Sequence, residues 1–145
     1  MKQYSLILFM GMVLSACSDP ASDHPFDKNN FSQKWELTGM SGSIPGFLLE
    51  GDDLLWKETI ALNFDKTFIK IREIDGAESE GTGSFFYEES DGQNFLVLEY
   101  NQETDLIESC TGEKITEKLF MPNTTSLTGG SSPCDGPGLF YSRVE

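Results

Sequence analysis

Histidine and basic residues are what this 145-residue chain has least of. There is one histidine, His24, and there are 10 Lys and Arg against 24 Asp and Glu, a formal charge of −14. A single imidazole excludes a multi-histidine metal site and argues against a histidine-centred triad. So few cations exclude phosphate-backbone binding, which takes clustered Lys and Arg, and no nucleic-acid partner is expected. Cysteine is scarce as well: Cys17, Cys110 and Cys134, with no Cys-x-x-Cys redox pair among them. No nucleophile elbow, phosphate loop or nucleotide fingerprint occurs. Asn101 and the acids Glu103, Asp105 and Glu108 only faintly suggest a calcium loop, because Leu106 stands where an EF-hand needs glycine. Asp52-Asp53 and Glu88-Glu89 are sequence neighbours, which a strand turns to opposite faces, so neither makes a carboxylate dyad. No catalytic residue, metal or cofactor emerges, and the chain is not expected to be an enzyme.

What is present begins at the N-terminus. Lys2 precedes an apolar run, Leu6 to Leu14, too short to span a bilayer, and the run ends in Leu14-Ser15-Ala16-Cys17. This stretch resembles the lipobox of bacterial lipoproteins; the rival is an ordinary secretory signal with a cysteine nearby by chance. The resemblance implies that residues 1–16 are a cleaved signal peptide and that Cys17 carries the lipid. So acidic a domain is repelled by anionic headgroups, so the membrane must be held through the acyl chains. Ser18 after the cysteine implies, by the sorting rule of such lipoproteins, the outer membrane rather than retention in the inner one. Residues 17–32 then form the lipidated cysteine and a polar tether with prolines at 20 and 25, within which His24 is a solvated linker residue.

From residue 33 to 145 the pattern changes to short alternating runs separated by turn residues. The runs are Lys34–Thr38, Trp56–Phe64, Thr67–Glu73, Gly81–Tyr87, Asn94–Tyr100, Leu106–Cys110, Lys114–Met121, Thr124–Thr128 and Gly138–Val144, with a turn at Pro122-Asn123. Sequential hairpins in this number close into an up-and-down barrel or pack as a sandwich, and closure removes the edge strands. The expected fold is all-β, a single antiparallel up-and-down barrel. Its interior would take Phe, Ile, Leu and Val, with Ile60, Leu62 and Phe64 on one inward face and Lys, Glu and Thr turned to water. Gly81 and Gly83 fall within one run, where a sharply bent barrel strand needs them. The irregular segment between Leu37 and Trp56 is a loop that plugs one barrel end with Ile44, Phe47 and Leu48, gates it, or does both.

With Cys17 lipidated, Cys110 and Cys134 are an even pair in an exported protein, so a disulfide is expected, with two free thiols as the alternative. Trp35 on the first strand and Arg143 on the last become neighbours if the barrel closes, and the guanidinium could then stack on the indole. Together with Lys34-Trp35-Glu36-Leu37, Phe64-Asp65-Lys66-Thr67-Phe68, Gly81-Thr82-Gly83-Ser84-Phe85 and Cys134-Asp135-Gly136-Pro137 before Tyr141-Ser142-Arg143, this pairing resembles bacterial lipocalin-like lipoproteins. Gln33 departs from the glycine usual two residues before that tryptophan. The resemblance implies a lipocalin-like barrel over 33–145 that binds a small hydrophobic or amphipathic ligand. Phe47, Leu48, Trp56, Phe68 and Phe85 are the candidate ligand-binding residues. The competing expectation is a protein–protein module: a periplasmic or surface inhibitor of a cell-wall hydrolase or protease, or an accessory subunit of an envelope complex. Apolar residues of the 39–55 segment that fold inward favour the ligand, and ones that project among acids favour the inhibitor.

Overall fold

The computed structural model describes residues 27–42 and 46–145; Cys17, His24 and Ile44 lie outside the described residues. Nine strands follow one another along the chain: β1 (Gln33–Ser41), β2 (Leu48–Glu50), β3 (Lys57–Leu62), β4 (Thr67–Ile74), β5 (Ala77–Ser90), β6 (Gln93–Tyr100), β7 (Thr116–Asn123), β8 (Ser126–Gly130) and β9 (Gly138–Arg143). Every neighbouring pair is antiparallel. The first and last strands also pair, Trp35 opposite Arg143 and Met40 opposite Leu139, so the sheet is a closed barrel. The short β2 and the longer β3 share one position in the wall beside β1, which gives eight staves. The fold class expected from the alternating runs is the fold the chain has.

Closure follows from the turns. Lys66, Asp75 and Asp91 adopt positive φ, the last two before Gly76 and Gly92, which are also left-handed, so the hairpins reverse in minimal length. β5 is long because it serves two partners. Its first half pairs with β4 and its second with β6, and Gly83 faces both Phe68 and Tyr100. A Cβ at Gly83 would run into the Glu99 carbonyl, so the strand can cross there only on glycine.

Strand alternation sends one set of side chains to the axis. Trp35, Leu37, Ile60, Leu62, Phe68, Phe85, Leu96, Leu98, Leu119, Met121, Leu127 and Leu139 meet there as one buried cluster, and the barrel centre is filled. Three local expectations are corrected. Phe64 is 83% exposed, because β3 ends at Leu62 and residues 63–66 form the turn that hydrogen-bonds Lys66 N–H to the Asn63 carbonyl. Residues 106–110 form no strand. They belong to an irregular loop whose Leu106 is buried from above, taking the plug role expected of the 39–55 segment, whose Phe47 and Leu48 are exposed. Pro122-Asn123 is no turn, since β7 runs through Asn123 and reverses at residues 124–125.

The two ends of the barrel differ. At the floor, residues from Asp27 onward, in the segment expected to be tether, pack against the barrel. Arg143 donates to the carbonyls of Asp27 and Asn30, both at 3.0 Å, and to that of Glu145 at 2.7 Å. Phe31 packs on Phe85, with the Lys66 ammonium 4.0 Å from its ring centroid. Gln33 accepts from the Trp35 indole N–H and the Tyr87 hydroxyl and donates to the Lys28 carbonyl, so the departure from glycine supplies the polar partners of the floor. The other end, the mouth, carries β2 with residues 51–56 after it and the long loops 101–115 and 131–137.

Candidate functional site

Just below the mouth the barrel axis changes character. Glu58, Lys70, Arg72 and Glu117 point inward and are buried, against the expectation that Lys and Glu face water. Each continues the inward phase of its strand: Glu58 with Ile60 and Leu62, Lys70 and Arg72 with Phe68, Glu117 with Leu119 and Met121. Lys70 Nζ lies 2.9 Å from carboxylate oxygens of both Glu58 and Glu117 and donates to the Leu106 carbonyl at 3.1 Å, so all three of its protons are placed. Arg72 pairs with Glu58 through Nε and with Glu108 through Nη1 at 3.2 Å, and also binds the Leu106 carbonyl. The hydroxyls of Tyr100 and Tyr141 donate to Glu117 and Glu58. Ion pairs this buried are retained only where every group is satisfied, and these side chains are.

The titration of this layer has a defined sign. Burial alone would raise the Glu58 carboxyl, but the Lys70 ammonium and Arg72 guanidinium more than offset it, and its pKa lies below the usual 4.5. A depressed acid contributes stability above its unfolded pKa and loses it as pH falls through the folded one. Burial, then the neighbouring carboxylates, pushes the Tyr100 and Tyr141 hydroxyls above the ordinary value of 10.0. A raised group holds its stability below the unfolded pKa and loses it as pH rises past it. The urea midpoint is therefore expected to be flat near neutrality, to fall below about pH 4.5 and again above about pH 10. A midpoint that rises between pH 7 and pH 4 would contradict this arrangement.

Above the charged layer lies a cavity of about 380 Å³, open at the mouth. Its walls are Met40 at the end of β1, Phe47 and Leu49 around β2, Leu55 and Trp56 before β3, and Pro137 before β9, with Glu108 and Asp135 contributing carboxylates. The Arg72 guanidinium sits 4.5 Å from the Trp56 ring centroid, so the cation–π contact of the mouth is made here. The Trp56 indole N–H is buried with no hydrogen-bond partner among the described residues. Of the five candidate ligand residues, the structure brings Phe47 and Trp56 to this cavity. Leu48 is on the outer surface against Gly39 and Phe140, and Phe68 and Phe85 are consumed by the core, so these three line no mouth. A second groove of about 510 Å³ opens where the wall passes from β2 to β3, between Leu37-Thr38 and Gly51-Leu54, and reaches Glu58.

Cys110 and Cys134 form a disulfide, with Cα atoms 5.8 Å apart, tying loop 101–115 to loop 131–137. Glu108 stands two residues before the first cysteine and Asp135 one after the second, so the bridge brings both carboxylates to one rim. Ser131 donates to Glu108 at 3.2 Å, and its carbonyl accepts from the N–H groups of Cys134 and Gly136. Replacing both cysteines by serine releases a closed loop of sequence separation 24. The expected loss is about 3.5 kcal/mol in the chain-entropy model, read as a lower urea midpoint with the barrel's far-UV spectrum retained.

The class these features define is a closed, antiparallel, eight-stranded barrel of calycin-like form, with a filled axis and an apolar mouth. Compared with known proteins, the chain matches no family model, no curated protein and no solved structure.

Proposed function

We propose that the protein is a cell-envelope lipoprotein, anchored through Cys17 in the outer membrane, whose barrel binds a small amphipathic molecule at its mouth. The observation that carries the binding function is the cavity of about 380 Å³ walled by Phe47, Leu49, Leu55, Trp56 and Pro137. That volume lies in the range of about 300–1,000 Å³ usual for small-molecule sites, and its lining is apolar with few polar groups. The filled axis excludes the deep pocket that a wider barrel offers its cargo, so the ligand belongs at the mouth. The disulfide and the charged layer beneath hold the walls in place before any ligand arrives, which lowers the ordering cost of binding. Leu6 to Leu14 followed by Leu14-Ser15-Ala16-Cys17 supports the anchor.

Titration of the purified chain with N-phenyl-1-naphthylamine tests the site. Saturable binding at one molecule per chain, weakened by Phe47→Ala combined with Leu55→Ala, is the expected result. Both side chains are largely exposed, so their loss leaves the core intact. No saturable binding of this or of charged probes would overturn the reading.

One observation favours the protein–protein alternative. Phe47, Leu48 and Leu55 are 47%, 52% and 65% exposed, and Glu50, Asp52 and Asp53 beside them are exposed too. An acidic, apolar-tipped rim of this kind suits insertion into the cleft of a basic hydrolase. Inhibition of a lysozyme or a secreted protease by the purified chain, lost on Leu55→Ala, would establish that alternative.

A further inference from the structure

We propose that the mouth site selects a lipophilic cation, an amine or quaternary ammonium on an apolar body, over fatty acids and other anionic amphiphiles. The proposal rests on the mouth cavity being a ligand site and adds the sign of the ligand's charge.

The first support is the charge balance of the buried network, which meets the cavity at Glu108. The network holds two cations, Lys70 and Arg72, and three carboxylates, Glu58, Glu117 and Glu108, so it is short of one positive charge. Lys70 and Arg72 balance the buried Glu58 and Glu117 two against two, which leaves the surplus at Glu108, the member that lines the cavity and is partly exposed. Asp135 adds a second carboxylate to the same lining. No Lys, Arg or His lines the cavity among the described residues.

The second support is how Glu108 is held. The Cys110–Cys134 bridge joins the two loops that carry Glu108 and Asp135, and Arg72 and Ser131 fix the Glu108 carboxylate. An incoming ammonium group would meet preorganised negative charge, whereas an incoming carboxylate would lose its hydration beside two others.

The third support is the aromatic lining. The Arg72 guanidinium already occupies one face of Trp56, so the π face on offer at the opening is that of Phe47. Desolvated cations are attracted to such faces, and anions are not. The formal charge of −14 raises the local concentration of any cationic ligand and speeds its arrival.

The test compares three amphiphiles of equal chain length, each below its micelle concentration and in low salt: decyltrimethylammonium, decanol and decanoate. Calorimetric titration of the purified chain is expected to show the cation binding about tenfold tighter than the anion, a preference that shrinks as salt is raised. Glu108→Gln with Asp135→Asn should remove most of that preference and leave decanol affinity unchanged. Asp91→Asn with Glu99→Gln removes the same charge from the floor turn and the outer wall, and should leave the preference in place.

If the two double variants weaken the cation equally, attraction is general and the proposal fails. Decanol or decanoate binding as tightly as the cation also overturns it, while saturable binding keeps the mouth site. If none of the three binds, the mouth site falls with it.

Discussion

Lys70→Met is expected to destabilise the barrel by about 3–5 kcal/mol, the cost of breaking a buried pair from one side. Methionine keeps the length and packing of the stem, so the loss isolates the charge rather than a cavity. It would leave Glu117 with only the Tyr100 hydroxyl among its observed partners, and Glu58 with Arg72 and Tyr141. A domain of this size has about 5–15 kcal/mol in total, so the variant should sit near the edge of folding in mild urea. Replacing the partner as well, Lys70→Met with Glu117→Met, should recover part of the loss, because two apolar groups ask nothing of one another electrostatically. A single variant as stable as the parent would mean that the layer is hydrated and contributes little.

Trp35→Ala is the other large effect, about 3–5 kcal/mol, for a different reason. Trp35 is fully buried where β1 meets β9, and its indole N–H is bound by Gln33. Truncation leaves a cavity in a close-packed floor and takes from Gln33 one of its two donors, the other being the Tyr87 hydroxyl. Trp56→Ala should cost much less. That ring is only partly buried, and its indole N–H has no partner, so truncation also removes an unsatisfied donor, a penalty of about 1–3 kcal/mol. Urea unfolding of the two variants side by side checks the ordering. Equal losses would contradict the assignment of Trp35 to the closure and Trp56 to the mouth.

The barrel could be read from the chain because period-two alternation and turn residues are local signals. Asp65-Lys66, Asp75-Gly76 and Asp91-Gly92 end runs whose apolar residues already lie in one phase, and few topologies accept that many consecutive hairpins. The charged layer could have been found by extending the same phase. Phe68, Lys70 and Arg72 share a parity, as do Glu58, Ile60 and Leu62, and Glu117, Leu119 and Met121. Residue type points Lys and Glu to water where parity points them inward; the buried pairing between β3, β4 and β7 is long-range and leaves no local mark. Leu106 to Cys110 alternated well enough to suggest a strand, yet the disulfide and the Leu106 plug hold that segment as a loop. The mouth was half legible. Phe47 and Trp56 belong to it, but Phe68 and Phe85 could be assigned to core or cavity only once the axis was seen to be full. Glu108 and Asp135 meet through the Cys110–Cys134 bridge, and sequence distance concealed them.

The two tryptophans allow one direct measurement of where a ligand goes. Trp35 reports the floor and axis, and Trp56 reports the mouth. In Trp35→Phe and Trp56→Phe variants, each with a single indole, decyltrimethylammonium should change the emission of the protein that retains Trp56 and leave the one that retains Trp35 unaltered. A saturable response from Trp35 with none from Trp56 would place the ligand inside the barrel and contradict a filled axis with a binding mouth.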